Sequence, residues 1–369
     1  MRSWRALLFA VAGTICLAGG TAKADVVGER HLTTTDSTAA LRDAEHRARI
    51  RVTAWYPAAD TAKEERIDIG PPGRPLFEVG AVASDAPFAD ARRRPVILFS
   101  HGFGGSARIM AWFGLAMARA GYVVVAVDHP GNTGLDKMTA AGAVLHWSRA
   151  DDLRAALDRV VHDPTLGPHV DPERVGAAGF SAGGYTVLLA AGARANPARL
   201  VDFCRTHPDD GVCVPQKEFS LPFDQAIAAA QSPAFAPEVA RAGDDHSIPG
   251  LRAAIAIAPA LVQELTPESL AQVHVPVAIV LGDADPVAPP ATNGLAAAKM
   301  IPNAKVEELP GVGHYDFLSN CTAAGRASVS VCAVKVSQDR THEAAVTAAL
   351  ALFRRTLGDP SSVGGELSP

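Results

Sequence analysis

Ser181 stands in Gly179-Phe180-Ser181-Ala182-Gly183-Gly184, a G-x-S-x-G pattern with one more glycine behind it. A serine hydroxyl attacks a carbonyl carbon only when a base takes its proton, and a histidine is the usual base. That histidine needs a carboxylate to fix its tautomer and stabilise its cation. The pattern has this meaning only where it joins a strand to a helix. Arg174 to Ala178 is short and apolar, as a buried strand is, and Tyr185 to Ala193 is rich in Ala, Leu and Val, as a helix is. A flexible Gly/Ser turn could carry the same letters, but not between those two neighbours. The glycines leave room for a strained turn in which any Cβ would collide. The helix that follows turns its first N–H groups toward developing negative charge.

Of twelve histidines, His314 is expected to be the base. It lies in Gly311-Val312-Gly313-His314-Tyr315, a Gly-rich loop past the last expected strand. His101 and His129 stand at strand ends and read as structural or pocket-lining. His31, His46, His146, His162, His169, His207, His246, His274 and His342 read as solvated side chains. The carboxylate belongs on the loop after Val277–Leu281, where Gly282-Asp283-Ala284-Asp285-Pro286 offers two. Asp285 is the choice, because Pro286 and Pro289 stiffen the loop behind it and Asp283 is still close to the strand. The order Ser181, Asp285, His314 is that of the strand–turn–helix hydrolases. A tetrahedral intermediate needs two N–H donors. The backbone N–H of Ala182 is one, and that of Phe103, in His101-Gly102-Phe103-Gly104-Gly105, is the other.

These loops need a scaffold. Arg49 to Pro57 alternates as a half-buried strand does, and Ile67 to Pro75 reads as a Gly/Pro-rich loop. Pro95–Ser100 and Tyr122–Val127 are continuous apolar runs, the mark of strands covered on both faces. Arg174–Ala178, Ala253–Ala258, Val277–Leu281 and Lys305–Glu308 complete the set. Helices are expected at Ala107–Ala120, Ser148–Val161, Pro289–Met300 and Thr341–Leu357. Strands alternating with helices give a mainly parallel sheet covered on both faces, with the first strands as an antiparallel edge. Ligands bind such sheets at the carboxyl ends of the strands, where every motif above lies.

The segment 194–250 holds no strand, seven prolines, two cysteines and helix-like pieces such as Phe223–Gln231. Its length points to a folded, lid-like insertion above the site. Phe203, Phe219, Leu221, Phe223 and Phe235 are too many apolar side chains for a solvated loop.

The 369 residues are 48% hydrophobic and 20% charged, enough for a sizeable core in one domain over 25–369. A formal net charge of −5 argues against a nucleic-acid partner and supplies no basic membrane patch. Residues 1–24 read as a signal peptide: Arg2 and Arg5, then the apolar Ala6–Leu17, then Ala22-Lys23-Ala24 as cleavage site. No later stretch is apolar enough for a membrane span. The mature chain is therefore expected to be exported, periplasmic or secreted. Cys204, Cys213, Cys321 and Cys332 then suggest disulfides, and the local pairs Cys204–Cys213 and Cys321–Cys332 close the shortest loops. Each is worth about 3 kcal/mol on the loop-entropy model. Residues 358–369 read as a disordered tail.

Together these motifs resemble the α/β-hydrolase superfamily, and within it the predicted dienelactone-hydrolase group related to platelet-activating-factor acetylhydrolases and bacterial polyester hydrolases. The resemblance rests on Trp55-Tyr56-Pro57, Phe99 to Gly105, Asp128-His129-Pro130-Gly131-Asn132, Gly179 to Gly184, and Gly313-His314 followed by Asp316-Phe317-Leu318. Dienelactone hydrolases proper use a cysteine nucleophile, whereas this chain has Ser181, which favours ordinary esters over lactones. The resemblance implies no metal or organic cofactor. The expectation is a serine esterase cleaving short-chain carboxylic esters, with lipid or polyester substrates as the alternative. A catalytically silent binding module usually loses the serine or the histidine, and this chain keeps both.

Overall fold

A computed structural model describes residues 25–360; the expected signal peptide, 1–24, lies outside the described residues. The strands are β1 (Val27–Thr34), β2 (Ile50–Pro57), β3 (Glu65–Ile69), β4 (Phe77–Ser84), β5 (Arg94–Ser100), β6 (Val123–Asp128), β7 (Val170–Phe180), β8 (Leu251–Ile257), β9 (Val277–Gly282), β10 (Lys305–Leu309) and β11 (Asn320–Cys321). They form one sheet in the order β10-β9-β8-β7-β5-β6-β2-β1-β4-β11, with β3 on β4. From β6 to β10 every pair is parallel.

Alternation along the central strands sends side chains into two cores. Val96, Leu98, Val125, Ala177 and Ile279 enter one, beside Leu153 and Val160 of the helix Ser148–Val161 and Leu188 of Ala182–Ala190. Ile97, Phe99, Val124, Ala178 and Val280 enter the other, beside Phe113 of Ala111–Arg119 and Phe353 of Gln338–Leu357. Two buried faces explain why β5 and β6 read as unbroken apolar runs. The first residues after β5, β7 and β9 consequently emerge along one rim of the sheet.

The amino-terminal edge differs from expectation. β2 pairs antiparallel with both β6 and β1, but β1 pairs parallel with β4. Ile67–Pro75, expected as loop, begins inside β3; the Gly/Pro-rich remainder is the turn of the β3–β4 hairpin, closed by Leu76 N–H donating to Ile69 O at 2.7 Å. The helix expected over Pro289–Met300 starts only at Gly294, after a run containing Pro289 and Pro290. Proline has no N–H to give to a helix and is tolerated only in the first turn. Ala107–Ala120 narrows to Ala111–Arg119 behind a 3₁₀ turn at Arg108–Met110. The expected disordered tail is described through Pro360, which is buried against Gly121; the remainder lies outside the described residues.

Within 194–250 there are three helices, Pro197–Thr206, Phe223–Ala230 and Ala236–Ala240, and no strand. Cys204 is bonded to Cys213, and Cys321 to Cys332. Peptide mapping of the unreduced protein should therefore find only these two linkages and no free thiol among the four. A link from Cys204 or Cys213 to Cys321 or Cys332 would contradict the pairing.

Candidate active site

β7 ends at Phe180, and the helix Ala182–Ala190 starts two residues later. Ser181, between them, has φ 58° and ψ −119°, a conformation that side chains with a Cβ avoid. Packing holds it there. Ser181 N–H donates to Ile257 O of β8 at 2.8 Å. The helix behind Ser181 lies so close to the sheet that a Cβ at Gly183 would sit 1.9 Å from Ser100 O. A Cβ at Gly184 would sit 2.8 Å from Pro259 Cα. The glycines of the motif are thus contact surfaces between helix and strands.

Ser181 Oγ lies 2.8 Å from His314 Nε2. His314 Nδ1 lies 2.6 Å from Asp285 Oδ2. All three are buried. The other Asp285 oxygen accepts the N–H groups of Val287 and Ala288, at 2.8 and 2.9 Å, which fixes the carboxylate's rotation. Asp283, two positions before Asp285 in the same turn, does a different job: its Oδ1 accepts Gly311 N–H at 2.6 Å and ties down the loop that carries His314. Asp316 Oδ2 accepts Gly313 N–H at 2.7 Å on the other side of His314, and burial pushes its carboxyl pKa up. In this array Ser181 can give its proton to His314 while Asp285 holds Nδ1–H.

The His101–Gly105 loop leaves the end of β5 directly beside the elbow. A Cβ at Gly102 would fall 3.2 Å from Ser181 Cβ, so the Gly102–Phe103 backbone runs against the serine. Ala182 N–H, the first of its helix, has no acceptor within that helix. The two expected oxyanion donors, Phe103 and Ala182, therefore flank Ser181.

Under this loop lies a buried polar network that sequence reading did not find. Arg149 donates to His101 O, to Asn132 Oδ1 at 3.1 Å, to Thr186 Oγ1 at 3.1 Å and to Ser100 Oγ at 3.3 Å. Asn132 Oδ1 in turn accepts Gly104 N–H at 3.0 Å. Burial pulls the Arg149 pKa down to about 9, against the opposing pull of Asp152. Asp152 takes a bidentate pair from Arg42, at 2.7 and 2.8 Å, and lies 2.8 Å from His129 Nδ1. His101 and His129 are both fully buried, and burial drives both pKa values well down, with Arg149 adding to it. Neutral His101 must carry its proton on Nδ1, which donates to Gly102 O at 2.6 Å, since Nε2 accepts His129 N–H at 3.3 Å. Both histidines are structural, and what they hold is the His101–Gly105 loop.

Several histidines expected to be solvated have partners instead. His146 pairs with Glu264 at 2.8 Å, His246 is buried against Asp151 at 3.1 Å, and His342 stacks on Trp112 at 3.9 Å. His169 stacks on Phe88, and His31 bonds Glu29 and Thr53. Apart from Glu29, their partners are distant in sequence, so no local signal marked them.

Ser181 opens on two cavities. The first, about 170 Å³, is walled by Ala182, Leu200, Val201, Leu221, Phe223 and Ile227 among others, and Phe219 also borders it. The second, about 350 Å³, contains His314 and is walled by Ile69, Phe77, Ile109, Leu318 and Val331. Phe103 lines both. The 194–250 segment supplies much of the first wall, and a Cβ at its Gly211 would lie 2.1 Å from Pro286 O, in the turn that carries Asp285. Phe203 and Phe235 line neither cavity: Phe203 stacks on His207 and Phe235 packs on the core. Among the described residues no group of three His, Cys, Asp or Glu side chains could hold a metal ion.

This combination of sheet, elbow and loop defines a class. The chain belongs to the alpha/beta hydrolase family, whose model matches residues 96–324. Lipase 1 of Moraxella sp. (strain TA144) is 33% identical over 96 residues, 26% of this chain and 27% of that protein, so the likeness spans about a quarter of the relative's length. A ferulic acid esterase from Streptomyces cinnamoneus shares the fold at a TM-score of 0.58 and 22% identity, over 92% of each chain.

The network supports one prediction. Asp152→Asn leaves the buried Arg42 guanidinium only the more distant Asp36 carboxylate, at 3.7 Å, as counter-charge, and breaking a buried pair from one side costs about 3–5 kcal/mol. Urea titration should show a clearly lowered midpoint. The double variant Arg42→Met, Asp152→Asn should recover part of the loss.

Proposed function

We propose that the chain is a serine esterase. Ser181 Oγ attacks the ester carbonyl as His314 Nε2 takes its proton, and Asp285 holds His314 in the required tautomer. The N–H groups of Phe103 and Ala182 receive the oxyanion. His314 then returns the proton to the departing alcohol, and water, activated by the same imidazole, hydrolyses the acyl-enzyme. The observation that carries this reading is the continuous chain of contacts Ser181–His314–Asp285, at 2.8 and 2.6 Å. The family membership and the local likeness to a lipase support ester hydrolysis. The motifs resemble those of the dienelactone-hydrolase-like group.

The two cavities divide the ester. His314 must reach the leaving oxygen, so the alcohol belongs in the cavity that contains His314. The acyl group then belongs in the first cavity, beneath the 194–250 segment, and its size favours short acyl chains. The larger, apolar alcohol side favours a second reading, a lipid or polyester whose bulk lies in the alcohol half. Export rests on the leader-like amino terminus and is supported by the two disulfides.

Ser181→Ala should abolish labelling by a fluorophosphonate and leave far-ultraviolet circular dichroism unchanged. A kcat above about a thousandth of wild type would disprove the nucleophile. Asp285→Asn should lower kcat by roughly 10⁴-fold, since the wrong histidine tautomer is then favoured. Asp283→Asn should have a much smaller effect, and the reverse ranking would exchange the two roles. Phe219→Ala and Phe223→Ala should shift the kcat/KM optimum across p-nitrophenyl esters toward longer acyl chains. The alcohol preference and pH profile should hardly move.

A further inference from the structure

The cavity that contains His314 is walled by two pieces that carry none of the triad. Ile69 and Phe77 come from the β3–β4 hairpin, and Val329 and Val331 from the loop closed by the Cys321–Cys332 disulfide. Phe77, Cys321 and Cys332 form a small buried cluster apart from the two main cores, with Ile69, Ile109, Val329 and Val331 packed on it. Backbone contacts stitch the two pieces together. Asn320 and Cys321 pair with Glu78 and Phe77. Thr322 N–H donates to Leu76 O at 3.0 Å, and Thr322 Oγ1 to Pro75 O at 2.7 Å. A Cβ at Gly325 would lie 2.1 Å from Leu76 O. His314 is held separately, by Asp283 and Asp316 on its own loop. Farther along, Gln338 Nε2 donates to Leu318 O at 2.9 Å and fixes the chain before it reaches Cys321.

The polar side chains of this cavity are already occupied. The Tyr315 hydroxyl donates to the Glu218 carboxylate. Gln216 Nε2 donates to Gly211 O and Val214 O, at 2.9 and 2.8 Å. Ser106 Oγ accepts Ile109 N–H at 3.2 Å, and Arg108 reaches Glu29 at 3.4 Å. Apart from Ser181 and His314, each polar side chain in the wall is thus engaged within the protein. A polyhydroxylated alcohol would lose its hydration here and find these partners taken. An apolar alcohol would gain burial against Phe77, Ile109, Leu318 and the two valines. Volume sets its size. An apolar cavity of about 150 Å³ takes up benzene, and this one, at about 350 Å³, is more than twice as large. Its shape limits length. Phe77, 7% exposed and backed by the disulfide, is a fixed wall. Ile69, Arg108 and Leu135 also line a second hollow that holds Arg51, Asp68 and Asp128, so a chain that outgrows the cavity on that side meets charged groups. We propose that the hairpin and the disulfide loop together select the leaving alcohol. They select a compact, apolar one of about two fused rings, alicyclic or aromatic, over a long chain or a sugar. This narrows the esterase reading above, and it rests on the alcohol lying beside His314.

The test uses acetates of saturated secondary alcohols, whose leaving groups are similarly basic, so that rates report fit. Propan-2-yl, cyclohexyl, decahydro-2-naphthyl and decan-2-yl acetates are compared, each below its solubility limit, with hydrolysis followed by pH-stat. Along the first three kcat/KM should rise. Decahydro-2-naphthyl acetate should exceed propan-2-yl acetate by at least about tenfold, less than two fully buried methylene groups supply. It should also exceed decan-2-yl acetate, whose alcohol has the same number of carbons. Val331→Phe fills the cavity and leaves the disulfide in place. It should cut the bicyclic-to-propan-2-yl ratio at least about fivefold, the loss of roughly one buried methylene group or more, with the propan-2-yl rate nearly unchanged. Cys321→Ser combined with Cys332→Ser should lower the same ratio and leave the preference between acetyl and butyryl esters unmoved. Binding of N-(decahydro-2-naphthyl)acetamide and N-isopropylacetamide, measured by calorimetry, should rank as the esters do. If Ser181 fails to label with a fluorophosphonate, the esterase reading falls, and the amide ranking still decides the pocket. Equal rates along the cyclic series would overturn the proposal, as would a preference for decan-2-yl acetate over the bicyclic ester. So would a Val331→Phe variant whose acyl-length optimum moves while its alcohol ratio holds, since the two cavities would then have exchanged halves.

Discussion

The helix Ala182–Ala190 touches the sheet through bare backbone. A methyl group at Gly183 would lie 1.9 Å from the Ser100 carbonyl oxygen, and one at Gly179 would lie 2.1 Å from Gly183 O. Because the helix cannot retreat, its first turn begins immediately at the end of β7, and the one residue between them is forced to φ 58°. That strain lifts Ser181 out of the sheet toward His314. The same approach brings the amino end of the helix beside the Gly102–Phe103 backbone. The setting of Ser181, its nearness to the Gly102–Phe103 backbone and the helix amino end beside it all follow from how close one helix comes to β5 and β7. A residue larger than glycine at 183 would have to move the helix, and the whole site would move with it.

Loops are the soft part of such an arrangement, and here each is tied from beneath. Arg149 reaches the His101 carbonyl and, through Asn132, the Gly104 N–H. Asp152 balances Arg42 in direct contact and stands among the charges that act on Arg149. The His314 loop is held by Asp283 on one side and Asp316 on the other. Preorganised dipoles cost no reorientation when charge develops on a reacting oxygen. The price of that rigidity is a set of buried charges that only excellent geometry can support.

The elbow, the histidine and the choice between Asp283 and Asp285 were legible because each lies next to a strong local signal: a glycine cluster, a strand end, a proline. The parallel core was legible for the same reason, since strands buried on both faces are apolar without interruption. β1, β3 and β4 were not. Val27–Thr34 carries Glu29, Arg30 and His31, and Glu65–Ile69 alternates too briefly before a Gly/Pro turn. Such edge strands are stabilised by their partners rather than by their own residues. The Arg42–Asp152–His129 and Arg149 clusters escaped for a related reason. Arg42 and Asp152 are 110 positions apart, and Arg149 and His101 are 48 apart. Nothing in a helix such as Ser148–Val161 distinguishes a charge that faces solvent from one that faces a loop at the end of the sheet. The insertion's aromatic residues were half legible: their number argued for packing, but only the fold separates Phe219 and Phe223, which meet the cavity, from Phe203 and Phe235, which do not.

Among the described residues the sheet stops at β10, with no strand beside its outer edge. Its unpaired N–H and C=O groups are a template on which another chain could add a strand. The five residues there are Lys305, Val306, Glu307, Glu308 and Leu309, and the first four are exposed. A second molecule docking edge to edge in register would set glutamate beside glutamate, and like charges directly opposite one another repel. This short, charged strand thus acts as a terminator. It lets a wide, apolar sheet finish in water without inviting fibril-like growth at high local concentration.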